Sequence, residues 1–190
     1  MRLLLDPGHG GEKNGASYQG TNEDDVTLAV ALRCANVLRT LNHDVLLTRD
    51  RDVDLSLVRR VEMINQYKAQ VFVSIHCNAI LNSDKPHGTE TYYRDDADEL
   101  LARCIQDALT AHTGMTNRGI RQDTLQLKKR LAVLNNDRIP CALVELGYLS
   151  NPDDRRYMID NINTLGEVLA HGIDWFTCIK GGIQKTNWPS

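Results

Sequence analysis

Two histidines and a glutamate stand where short apolar runs end. His9 lies in "LLLDPGHGG", His76 follows "VFVSI", and Glu145 closes "CALVE". Imidazole nitrogens and a carboxylate are donors for a divalent ion and can carry protons near neutrality. The set could therefore support metal-assisted hydrolysis or general acid–base chemistry. Each residue alone has an ordinary reading. Pro7-Gly8 and Gly10-Gly11 are turn dipeptides, sufficient to make the first stretch a plain loop. A strand followed by glycines also suggests a phosphate cradle, but neither GxxxxGK[ST] nor GxGxxG is present. The next helix begins near residue 23, too far away to aim its N-terminus at those glycines. What lifts His9 is its company. Three polar residues end three apolar runs that read as central strands, and parallel strands would bring them to one sheet edge, where α/β folds place their sites. An acid at the end of a buried strand is also costly unless it has a partner or a task.

The elements that must position these residues alternate short β-branched or leucine-rich runs with longer helical patterns, the signature of an α/β layer fold. Strands are expected at 2–6, 44–48, 71–75, 88–93, 131–134 and 141–145. The runs at 2–6, 71–75 and 141–145 are nearly continuous in apolar residues, as for strands covered on both faces. Val26, Val30, Cys34, Val37 and Leu41 recur at helical spacing and predict a helix over 23–41. Leu57, Val61 and Ile64 mark a second helix; Leu101, Cys104, Ala108 and His112 mark a third. Asn151, Pro152, Asp153 and Asp154 read as a helix start: a cap, a proline in the first turn, then acids at the positive dipole end. A last helix carries Leu165, Leu169, Ile173 and Phe176 and stops at Gly181-Gly182. The expected architecture is one α/β domain, a twisted, mostly parallel or mixed sheet of about six strands with helices on both faces.

Its 190 residues suit one domain with a real core. A net charge of −3 gives no general nucleic-acid footprint, and no apolar run reaches the length of a membrane span, so neither partner is expected. Residues 118–130 are locally basic, with Arg118, Arg121, Lys128, Lys129 and Arg130 against Asp123. They read as a solvated surface or, more sharply, as a rim attracting an anionic polymer. Cys34, Cys77, Cys104, Cys141 and Cys178 are odd in number and never form CxxC. They read as small core hydrophobes of a protein made in a reducing cytosol rather than a disulfide framework.

Read together, "LLLDPGHGG", "NEDDVTLAVALR", "LSLVRRVEMINQYKAQVFVSIHCNA", "HGTETYY", "NRGIR", "LAVL" and "CALVELGYLSNPDD" resemble, in order, the zinc-dependent N-acetylmuramoyl-L-alanine amidases. That family includes autolysins, cell-separation amidases and phage endolysins, and the resemblance spans about residues 2–175. It implies one zinc ion per chain, held by His9, Glu23 and His76, with Glu145 as the catalytic glutamate. The substrate it implies is peptidoglycan, cut between the lactyl group of N-acetylmuramic acid and the first alanine of the stem peptide. Without the resemblance, Glu23, Asp24 and Asp25 are near-equal candidates at a helix start that welcomes acids for the dipole alone. The family register, with the acid three residues before the helix's apolar face, selects Glu23. The catalytic unit is then residues 1–180, with 181–190 a tail.

Rival readings stand beside this one. Cys77 next to His76 suggests a thiol nucleophile, although strand neighbours point to opposite faces. His87 reads as a surface residue that could reach the cleft rim; His43, His112 and His171 sit on segments without a carboxylate constellation. Arg59 or Arg60 is expected to buttress the site, as the family carries an arginine in this helix. The short stretch 78–88 leaves no room for the segment that covers the zinc in regulated members, so an open cleft needing no protein activator is expected. With no signal-like stretch before the first strand, a phage-type lysin made in the host cytoplasm and acting on the wall after release is expected. The alternatives are an exported wall-remodelling amidase, a zinc peptidase on stem peptides, and a non-catalytic peptidoglycan-binding module.

Overall fold

The computed structural model describes residues 1–123, 131–136 and 138–182. Lys128, Lys129 and Arg130 of the basic stretch, and most of the expected tail, lie outside the described residues.

Among the described residues, six strands form one sheet: β1 (Arg2–Pro7), β4 (Asp44–Leu47), β5 (Val71–Asn78), β6 (Thr89–Tyr93), β7 (Asn117–Gln122) and β8 (Cys141–Tyr148). A two-residue hairpin, β2 (Ser17–Tyr18) and β3 (Thr21–Asn22), stands apart. The order is β4-β1-β5-β8-β6-β7. All neighbours run parallel except β6 against β8, which makes the sheet mixed.

The three apolar runs are the sheet's centre, and their alternation sorts two cores. Leu3 and Leu5, Val71, Val73 and Ile75, and Ala142, Val144 and Leu146 face one side. There they meet α1 (Glu23–Thr40), α3 (Asp96–Thr113) and the last helix, α5 (Ile162–Lys180). Leu165, Leu169, Ile173 and Phe176 of α5 are completely buried. Each contributes roughly 1.5–3 kcal/mol, which is what holds a long amphipathic helix in place. Leu4, Phe72, Cys141 and Leu143 face the other side, under Met63 and Ile64 of α2 (Leu57–Gln66). The Asn151 side chain accepts from the Asp153 and Asp154 amides to start α4 (Pro152–Asp160), as its sequence predicts.

One expected strand is not a strand. Residues 131–134 enter a short 3₁₀ turn, Ala132–Leu134, whose Val133 and Leu134 plug the α2-side core. Its amide bonds go locally, Leu134 N to Leu131 O, because the sheet edge beside β6 is already occupied. The occupant, β7, has a sequence (NRGIRQ) with one apolar residue and no alternation, so nothing marks it as a strand. It is a partly exposed edge, with a register shift against β6 near Gly119, whose φ is +83°.

Candidate active site

Because residues two apart share a sheet face, His76 lies on the side of Phe72 and Ser74, and Glu145 on that of Cys141 and Leu143. Both therefore face the α2 side, at the same end of adjacent strands, and His76 pairs in register with Glu145. Cys77 points the other way, into the opposite core. Burial first, then Glu23 and Glu145, push its thiol well above the ordinary range, which disfavours a thiolate nucleophile there.

His9 arrives from the loop after β1, in a left-handed backbone conformation (φ +59°) that non-glycine residues rarely adopt. Two buried arginines hold that loop. Arg49 donates to the carbonyls of Pro7, Gly8 and Asp24 at 3.1, 2.8 and 2.8 Å. Arg60 donates to Asp6 Oδ1 and to the carbonyls of Pro7 and His9, each at 2.6 Å. Asp6 is fully buried and also accepts from Thr48 and Ser74. Arg60, not Arg59, is thus the buttress; Arg59 is exposed and pairs with Glu62. Removing one partner of a buried ion pair strands the other. Arg60→Met is expected to lower stability by about 3–5 kcal/mol in urea unfolding, against under about 0.5 kcal/mol for Arg59→Met. Equal losses for the two variants would remove the buttress.

Glu23 opens α1 and is 4% exposed. Its Oε1 lies 2.9 Å from His76 Nδ1 and 3.2 Å from His9 Nε2, and accepts from the Cys77 amide at 3.0 Å. Its Oε2 accepts from the Ala16 amide at 2.9 Å. Burial alone would raise this carboxyl, but the hydrogen bonds and charges of the two imidazoles outweigh it and hold the group far below the ordinary range. His9, Glu23 and His76 each offer one donor atom, and the three atoms lie within 4.8 Å of one another. Two imidazoles and a carboxylate, with the carboxylate oriented by backbone amides, fit a divalent ion of zinc type. Glycines make the space: a Cβ on Gly8 would stand 2.4 Å from the His76 ring, and one on Gly15 2.5 Å from Glu23 Oε2. The two rivals at the helix start do not join. Asp25 is exposed, and Asp24 meets the loop through its carbonyl bond to Arg49.

Among the described residues, Glu145 has a buried Oε2 with no hydrogen-bond partner. Burial, then the charges of Glu23 and Glu90, push its carboxyl well above the ordinary range. An unpaired carboxylate oxygen beside a donor cluster is suited to taking up and releasing a proton. A cleft of about 330 Å³ opens over His9 and His76, lined also by Lys13, Leu55, Leu57 and Arg60. A wider one of about 750 Å³ runs along Tyr18, Ala79, Leu81 and Ser150. His87 is exposed on the loop before β6, and His43 pairs with Asp174 at 3.0 Å, outside the donor cluster. Sequence reasoning missed Glu90, a buried carboxylate opposite Glu145 across β6 and β8. Its signal was an acid inside the run "TETYY".

Residues 3–174 match the family described as N-acetylmuramoyl-L-alanine amidase. The probable cell wall amidase LytH of Staphylococcus epidermidis is 35% identical over 164 residues, 85% of this chain and 52% of that protein. The chain thus spans about half the length of the curated relatives it matches first. Among solved structures, the N-acetylmuramoyl-L-alanine amidase AmiC2 of Nostoc punctiforme superposes with a TM-score of 0.86 at 32% identity, over 93% of this chain and 97% of that one. The CwlD amidase of Clostridioides difficile, solved in complex with the GerS lipoprotein, gives 0.85 at 28%, over 94% and 98%.

Proposed function

The chain belongs to the N-acetylmuramoyl-L-alanine amidase family, and on that premise we propose that it hydrolyses the amide joining the lactyl group of N-acetylmuramic acid to the first alanine of the peptidoglycan stem peptide. Residues 1–180 are the proposed catalytic unit. The observation that carries the reading is the pairing of a three-donor cluster with an unpartnered buried carboxylate on the neighbouring strand. His9, Glu23 and His76 would hold one zinc ion. When bound, zinc would supply Lewis acidity to an amide carbonyl and to a water molecule.

The protein's own part falls to Glu145. Its Oε2 takes a proton from the attacking water and passes it to the departing alanine nitrogen, which then leaves as a neutral amine rather than as an amide anion, a very poor leaving group. The upward push on this carboxyl favours the second transfer by making the proton-bearing form accessible. Arg60 and Arg49 keep the His9 loop in its left-handed turn, so His9 needs little reorganisation during reaction. No helix among the described residues is long and apolar enough to cross a membrane. The proposed place of action is the cell wall, and the proposed cleft is open, working without a protein activator.

Mass spectrometry of products from purified peptidoglycan tests the bond. The expected products are free stem peptides beginning at alanine, released by the zinc-loaded protein with no added partner. Cuts between stem-peptide residues would convert the reading to a peptidase. Activity appearing only after a partner protein is added would overturn the activator-free cleft.

A further inference from the structure

The row of site residues does not stop at Glu145. Following the strand order β1-β5-β8-β6-β7, it reads His9, His76, Glu145, Glu90, and then Arg118 and Arg121. Glu90 is 2% exposed and stands in register opposite Glu145. A carboxylate so deep needs donors, and among the described residues it has five. Oε1 accepts from Asn78 Nδ2 at 2.8 Å, Tyr92 Oη at 3.2 Å and Tyr148 Oη at 3.4 Å. Oε2 accepts from Arg118 Nε at 3.1 Å and Arg121 Nε at 2.6 Å.

Each arginine thus commits only its Nε to Glu90. Arg118 Nη1 also donates to the His87 carbonyl at 3.3 Å, and its guanidinium lies 4.9 Å over the Tyr148 ring. Among the described residues, Arg118 Nη2 and both terminal nitrogens of Arg121 have no hydrogen-bond partner, and both side chains are 29% exposed. Two guanidinium groups against one carboxylate leave one positive charge in excess. Unlike solvated surface arginines, these are fixed in orientation by a buried anchor, so a ligand need not order them. Two strand spacings separate β8 from β7, about 10 Å. An extended peptide covers that in about three residues.

We infer that Arg118 and Arg121, held by Glu90, form a carboxylate-binding subsite that grips the stem peptide two to three residues beyond the cleaved amide. This inference rests on the amidase reading above. Two carboxylates of a stem peptide come within that reach: the α-carboxylate of a second-position D-glutamate joined through its γ-carboxyl, and the terminal carboxylate of a tripeptide.

Three soluble N-acetylmuramoyl tripeptides separate these: one with both carboxylates as amides, one with only the α-carboxylate free, and one with only the terminal carboxylate free. For the zinc-loaded wild type, kcat/KM on one free carboxylate is expected to exceed that on the diamide about 10- to 100-fold, the range of a charge-assisted bidentate contact. Whichever acid shows the gain is the ligand. In Arg121→Gln and in the Arg118→Gln/Arg121→Gln double variant the ratio falls toward one, and because it is internal to each protein it does not depend on how much variant is folded. A wild-type ratio near one, decided without any variant, overturns the subsite; so does an unchanged ratio in the variants. Failure of the wild type to release alanine-headed peptide from any of the three overturns the amidase reading and this inference together.

Discussion

Glu145→Gln is expected to lower turnover on purified peptidoglycan about 10²- to 10⁴-fold while leaving the fold and the zinc content intact. The range is that of a lost general acid–base group. Glutamine keeps the shape of glutamate and so leaves no cavity in the central strand, yet its amide can neither take a proton from water nor deliver one to nitrogen. The proposed proton-transfer role and the proposed metal donors fall on different side chains. Glu145 lies outside the three-donor cluster, and among the described residues its buried Oε2 has no hydrogen-bond partner that the change would strand. Released alanine-headed peptide, measured beside zinc stoichiometry by elemental analysis, checks both halves. A variant that holds zinc and keeps more than a tenth of wild-type turnover would take the proton-transfer role away from Glu145.

The second large effect is expected at the donors. Chelator treatment, His9→Ala, His76→Ala or Glu23→Gln should each bring zinc from one per chain toward none and lower turnover by about 10³-fold or more, the loss of several kcal/mol of Lewis-acid assistance. Glu23 is the informative position, because three acids in a row open α1. Its carboxylate meets both imidazoles and the amides of Ala16 and Cys77, whereas Asp25 is exposed. Asp25→Asn should therefore keep one zinc per chain. Zinc restored to the chelated wild type should return activity; an Asp25→Asn protein without metal, or a Glu23→Gln protein with a full complement, would contradict the ligand set.

Much of this was legible in the residues because burial writes itself plainly in apolar runs. The three central strands and the convergence of His9, His76 and Glu145 follow from leucine and valine stretches ending in polar residues. Asn151 and Pro152 likewise announced α4. The failures share a cause. β7 is an edge strand, so its side chains need not alternate, and "LAVL" at 131–134 satisfies a core without joining a ladder. Glu23 could not be told from Asp24 and Asp25 by local pattern, because the turn that aims it is set by the Ala16 and Cys77 amides, far apart in sequence. Arg60 and Arg59 differ only in which side of α2 faces Asp6, a packing fact that adjacent arginines do not record.

The parallel pairing of β1 with β5 and of β5 with β8 also governs when the centre can exist. Contacts between such remote segments close large loops, and their entropy must be met before any pairing rewards it. Residues 9 and 23 are made early, yet they gain their third companion only when β5 docks, and Glu145 only when β8 does. A chain in which either β5 or β8 has not docked therefore lacks the complete constellation. The proposed competence to cut therefore waits on two long-range pairings, β1 with β5 and β5 with β8.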